Sequence, residues 1–217
     1  MGASQSYQNI PLHASNPPIA AVDTRFILPN PVTLLLVEKP FSFSGDDFSI
    51  RDANNGTPYF KCSGRAMSLS QKKTFLDAYG KPVFNMKRER FAFLKPSHFL
   101  FLGEHSETKL CEIRSSFVVL KAKLTVVFKN LVDGTNVELG LKGNWLARDC
   151  MIWADYGCKG EANRKPIATI KMPVLRTNNL IFGKQEYWLT AAPGVDIALL
   201  VAICIALDEA AHDRKRE

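Results

Sequence analysis

Near its end the chain reads Pro193-Gly194-Val195-Asp196 and then eleven consecutive apolar residues, Ile197 to Leu207, before Asp208-Glu209 restores polarity. A surface helix keeps one polar face, and this run has none. Ala198, Leu199, Val201, Ile203, Cys204 and Leu207 point in every direction of a helical wheel, so a helix built from them must be enclosed by protein. At about 1.5 Å per residue the apolar part is roughly 17 Å long, against about 30 Å for the hydrocarbon core of a bilayer. It is too short to span a membrane. Pro193-Gly194 is a turn pair, Asp196 supplies an acid at the positive end, and Arg214, Lys215 and Arg216 follow the negative end. These signals predict a buried helix over about residues 195–211.

What encloses the helix is read from the segments before it. From Val32 onward, short apolar or alternating runs are separated by turn residues at regular intervals, the pattern of a many-stranded sheet or barrel. Val32 to Glu38 reads as a first strand. Phe48-Ser49-Ile50 alternates into Asn54-Asn55-Gly56, where Asn-Gly predicts a type I′ hairpin turn. Tyr59 to Gly64 returns from it. Lys73 to Asp77 and Val83 to Arg88, joined through Gly80, form a second hairpin, and each hairpin has an acid (Asp52, Asp77) ahead of its glycine. Phe99 to Gly103, Lys109 to Ile113, Asn136 to Lys142, Pro166 to Met172 and Glu186 to Thr190 are further strands, and Phe117 to Lys129 is the longest candidate strand or strand pair. A barrel that receives one apolar helix last accommodates all of this, whereas a sandwich leaves the helix without an enclosure. Residues 1–30 are polar and proline-rich and read as an extended, weakly ordered arm; residues 31–217 read as one domain.

Several segments resemble the LURP-one-related family. In the first half these are Phe48-Ser49-Ile50-Arg51-Asp52 with Asn55-Gly56, Tyr59-Phe60-Lys61-Cys62-Ser63-Gly64, and Lys73-Thr74-Phe75-Leu76-Asp77 with Gly80-Lys81-Pro82-Val83. In the second they are Gly143-Asn144-Trp145, Ile167-Ala168-Thr169-Ile170-Lys171, and Tyr187-Trp188-Leu189-Thr190-Ala191-Ala192-Pro193-Gly194-Val195-Asp196. That family is similar to the tubby C-terminal domain and the phospholipid scramblases. The resemblance implies a mainly β fold: a closed antiparallel barrel of twelve strands around a hydrophobic C-terminal helix. It also implies a surface that binds phosphoinositides through basic residues, with no established enzymatic activity. Lipid scrambling is not expected, because the chain lacks a cysteine-rich palmitoylation segment and its apolar run carries no charge to line a lipid path.

The net charge of +7 and a pI near 9.2 favour polyanions and anionic membrane at long range. On Leu120 to Lys129 the even positions are apolar and the odd ones carry Lys121, Lys123 and Lys129, so one strand face presents three lysines. Lys87, Arg88 and Arg90 form a second cluster. These six residues are the candidate lipid-binding set, and a solvated barrel exterior is the competing reading. Met1-Gly2-Ala3-Ser4-Gln5-Ser6 fits the N-myristoylation pattern and offers Gly2 as a lipidation site; one acyl chain plus a basic patch makes a two-signal anchor. Phe91, Phe93, Phe99 and Phe101 alternate as core residues do, and no nucleic-acid motif accompanies them. Five cysteines with no C-x-x-C pair, and no apolar leader, suit reduced thiols in the cytoplasm. The histidines share no metal-ligand spacing with them, and no nucleophile elbow or phosphate loop occurs, so neither metal, cofactor nor catalytic residue is expected. The expected function is a non-enzymatic, peripheral membrane adaptor that binds anionic phospholipid. The alternative is a soluble domain that regulates or binds an unidentified protein.

Overall fold

The structure is a computed structural model, and it describes residues 7, 10–39, 47–64, 72–88, 97–118, 121–171 and 186–214. Twelve strands follow one another in chain order. They are β1 (Val32–Lys39), β2 (Asp47–Asp52), β3 (Pro58–Gly64), β4 (Lys73–Asp77), β5 (Pro82–Arg88), β6 (Ser97–Leu102), β7 (Lys109–Val118), β8 (Lys121–Lys129), β9 (Asn136–Asn144), β10 (Asp149–Tyr156), β11 (Lys165–Lys171) and β12 (Glu186–Ala191). Each is antiparallel to the next. β12 returns to β1 with Ala191 opposite Val32 and Trp188 opposite Leu35, which closes the barrel and leaves no free edge. A single helix, α1 (Ile197–Arg214), follows β12.

Period-two alternation sets the wall. On β8, Ala122, Leu124, Val126 and Phe128 face inward and are buried, while Lys123, Thr125, Val127 and Lys129 are exposed. Of the two readings of Phe117 to Lys129, a strand or a strand pair, the pair holds: the segment contains the end of β7 and all of β8, paired from Glu112–Val127 to Val118–Lys121. The hairpin between β2 and β3 is not a type I′ turn. That turn needs a positive φ at both central residues, and here Gly56 alone has one, at 76°. The chain makes a longer loop in which Gly56 N–H donates to Asp52 O and Asp52 N–H to Thr57 O. The Asp52 carboxylate accepts from the N–H groups of Asn54 and Asn55. Asp77 does the same for Tyr79 and Lys81, so the acid before each glycine organises its turn.

The helix enters at the end of the barrel where β1 begins and runs to the opposite end. Every residue from Ile197 to Leu207 is at most 1% exposed. No described helix is long and apolar enough to cross a membrane. Asp196 caps the helix: its Oδ1 accepts from Ala198 and Leu199 N–H at 2.9 and 3.3 Å. Its Oδ2 accepts from Ala21, Val22 and Asp23 N–H at 3.3, 2.8 and 3.2 Å. One buried carboxylate thus joins the helix to the arm.

Within the arm, residues 15–28 lie docked against the barrel and include a 3-10 turn at Thr24–Phe26. Ile19 to Val22 are at most 3% exposed and seal the barrel end where the helix enters. Ser15 N–H donates to Pro193 O and Ile19 N–H to Gly194 O, and Ala20 N–H reaches Asn130 Oδ1. The composition of this stretch hides its role, because Ile19, Ala20, Ala21 and Val22 are only four apolar residues among prolines and polar neighbours.

Candidate functional site

The outer wall of β5–β8 collects most of the expected basic residues, and it divides them. Lys87 and Arg88 are consecutive on β5 and lie on opposite faces. Lys87 points outward, with Nζ 4.6 Å from the centre of the Phe101 ring. Arg88 shares the inward row with Phe84 and Met86 and is opposite His98 in register, so it does not belong to the exterior cluster. Lys123 and Lys129 are exposed on one face of β8, six residues apart, or about 20 Å along a strand. Neither has an ion pair among the described residues. Lys121 begins the same strand two positions before Lys123, and its side chain is outside the described set. Arg90 and Gly2 lie outside the described residues altogether.

Register supplies the neighbours. Glu112 of β7 is opposite both Phe99 of β6 and Val127 of β8, and Val127 is opposite Glu138 of β9. Lys87 is opposite Phe99, so one row around the wall reads Lys87, Phe99, Glu112, Val127, Glu138. At about 4.8 Å per strand, Lys87 lies roughly 14 Å around the sheet from the β8 face. Arg114 sits beside Thr125 and bonds Glu112 at 2.8 Å, while Lys109 is 3.6 Å from the same carboxylate. The Arg114 hydrogen bond holds Glu112 below the ordinary carboxylate range despite opposing burial. Val127 is 54% exposed between Lys123 and Lys129.

Phe99 and Phe101 are not barrel filling. They face outward on β6 and are half covered, Phe99 by Lys109 at 4.0 Å and Phe101 by Lys87. In both pairs the ammonium group itself lies over the ring face, a cation–π contact. Alternation identifies two faces of a strand but not which one is inside. The inward partners, His98 and Leu100, include one polar residue, and that inverted the expectation. Phe91 and Phe93 are outside the described residues.

A second polar assembly lies inside the barrel at the C-terminal end of α1, and no sequence motif announces it. Glu209 meets Lys73 of β4 at 2.5 Å and His98 Nε2 at 2.8 Å. Although burial works to raise it, the His98 hydrogen bond and the Lys73 charge hold Glu209 down to about 2. Asp208 pairs with Arg148 and accepts from Tyr187 Oη at 2.7 Å. The Arg148 guanidinium lies against both Trp145 and Tyr187, 4.2 and 4.4 Å from the centres of these edge-on rings. Burial raises the Tyr187 phenol well above its ordinary value. Two cations thereby meet the two acids near the negative end of the helix, while His98 Nδ1 and Trp145 Nε1 are buried without a hydrogen-bond partner among the described residues. This assembly anchors the helix.

Nucleophilic chemistry finds little footing among the described residues. Burial pushes the Cys111 and Cys150 thiols up to about 12 and Cys204 well above its ordinary value, which keeps them protonated. No group of three or more metal-ligating side chains gathers there.

An up-and-down barrel of twelve strands, filled by its own C-terminal helix and bearing lysines outside, is a barrel–helix domain in which any binding surface is carried by the wall or the ends. The model of the LURP-one-related family matches residues 32–208, and the chain belongs to that family. The match begins at the first residue of β1 and ends at Asp208, the partner of Arg148. The chain is 29% identical to LURP-one-related 15 of Arabidopsis thaliana over 192 residues, covering 87% of this chain and 84% of that one. It is 26% identical to LURP-one-related 10 of the same plant, covering 88% and 96%. An Arabidopsis thaliana protein solved by X-ray crystallography superposes with a TM-score of 0.60 at 22% identity, covering 88% of this chain and 97% of that one. It shares the fold.

Proposed function

We propose that this LURP-one-related barrel is a non-enzymatic adaptor that binds anionic phospholipid peripherally through the outer face of β7 and β8, with Lys87 contributing from β5. The carrying observation is the β8 face itself: Lys123 and Lys129, both without ion pairs among the described residues, flank an exposed Val127. A valine between two lysines suits a headgroup layer, where the apolar side chain shallowly enters and each lysine contributes about 1 kcal/mol. Lys109 and Arg114 extend the positive field, and Glu112 offsets part of it. Such a surface binds weakly by itself, so an acyl chain on Gly2 is the natural second signal. Arg88 has no part in it.

One observation favours a protein partner instead. Glu112 and Glu138 are register neighbours of Val127 on both sides, and an anionic bilayer repels them, whereas an apolar centre with a mixed-charge rim suits a protein interface. Co-sedimentation separates the two. The unacylated protein is spun with vesicles of phosphatidylcholine alone, or with added phosphatidylserine or phosphoinositide, beside a Lys123→Glu/Lys129→Glu variant and a duplex DNA competitor. The lipid reading expects pelleting only with anionic vesicles, lost in the variant and not reversed by an equal charge of DNA. No pelleting by either protein, both folded, contradicts it and leaves the protein-partner reading.

A further inference from the structure

Between the docked arm and the wall of β10 and β11 lies a cleft of about 470 Å³, on a different part of the barrel from the lysine face of β8. One side is the arm from His13 to Pro17 with Ile19. The other is Ala154 and Tyr156 of β10, Asn163, and Lys165, Pro166 and Ile167 of β11. The volume is in the range of small-molecule sites. Its floor is apolar and firm: Ile19, Ala154 and Ile167 are at most 4% exposed. Its polar groups are unequal in their commitments. Asn163 Nδ2 is used by Asp155 Oδ1 and Tyr156 O, Tyr156 Oη by Asp133, and Ser15 Oγ by Pro17 O. His13 and Lys165 are exposed at the cleft and have no hydrogen bond or ion pair among the described side chains. No carboxylate lines it. The acids nearest in the chain are engaged elsewhere, Asp155 by Lys159 and Gly160 N–H and Asn163, and Glu161 by Arg164 at 3.9 Å, while Asp133, which holds Tyr156 Oη, is also bonded by Thr135.

We propose that this cleft is a binding site for a small amphiphilic anion, an apolar body seated on Ile19, Ala154 and Ile167 with a carboxylate or similar head between His13 and Lys165. Desolvated apolar walls supply most of the binding and the free cation selects the charge. Because half of the site belongs to the arm, a bound ligand also tethers residues 13–19 to the barrel.

Octanoate is the probe, with octylamine and 1-octanol as chain-matched cation and neutral controls, titrated into the full-length ¹⁵N-labelled protein. Octanoate is expected to move the amides of Ala14, Asn163 and Ile167 in a saturable way, with the octylamine response at least about tenfold weaker, a discrimination of one charge pair. Lys165→Glu should weaken octanoate about tenfold, and Lys123→Glu should leave it unchanged, which separates this site from the β8 face. Equal binding of octylamine, an unchanged Lys165→Glu variant, or shifts confined to residues away from the cleft would overturn the proposal. So would the absence of any saturable shift in the folded protein.

Discussion

The buried acids set how this protein responds to pH and to substitution. Glu209 is held at about 2 in the folded chain, below the ordinary 4.5 of an unfolded glutamate. A lowered carboxyl pKa stabilises the fold above the unfolded value, and that contribution is lost as pH falls through 4.5 towards about 2. The shift corresponds to roughly 3 kcal/mol. Urea unfolding should therefore show wild-type stability declining over this window, and a Glu209→Gln variant lacking that part of the decline. At pH 7 the same variant should be less stable by about 3 kcal/mol, since Lys73 is left buried without its carboxylate. Gly140 offers a steric test. A Cβ there would lie 2.0 Å from Trp153 Cζ2, whose ring covers β9 and carries Arg164 at 4.0 Å. Gly140→Ala should cost about 1–3 kcal/mol and expose Trp153, seen as a red shift in tryptophan emission. Neither contact is legible in the sequence, because Lys73, His98 and Glu209 are far apart in the chain and converge only when the barrel closes.

At the scale of elements, the helix and its wall were legible because their periods are simple. An apolar run without a polar face demands an enclosure, and β8 alternates buried and exposed from Ala122 to Phe128, with Val127 an apolar residue on the exposed face. The arm was not legible as a docked element, since what fixes it is backbone hydrogen bonding to Asp196 and Gly194 rather than a side-chain pattern. Two substitutions separate these cases. Leu200→Ala, inside α1, should lower stability by about 2–5 kcal/mol through the cavity it leaves. Ile203→Asp should prevent folding, because an unpaired charge would enter the enclosure, and a folded variant of unchanged melting temperature would refute the enclosed helix. Gly194 has φ of 80° and a Cβ there would meet Ser15 O at 2.7 Å. Gly194→Ala should release the arm at smaller cost than the helix substitutions, detected as faster proteolysis between residues 13 and 28 while the barrel core persists.

For the whole molecule the barrel separates stability from recognition. The helix and its polar anchors occupy the interior, so the functional surface is whatever the wall and ends display. The six basic residues read as one set were split by alternation: Arg88 turns inward, Lys87 stands roughly 14 Å around the sheet from β8, and only Lys123 and Lys129 share a strand face within the described residues. Residue type identified the charge, and register alone could say which charges meet. The decisive measurement is orientation at the membrane. A cysteine carrying an environment-sensitive fluorophore is placed at Val127 and, separately, at Tyr79 on the remote β4–β5 turn, each in a Cys158→Ser background, and anionic vesicles are added. The label at 127 should brighten and shift to the blue while the label at 79 stays unchanged. A response at 79 with none at 127 would show that a different part of the barrel meets the bilayer and would contradict the β8 face as the lipid-binding surface.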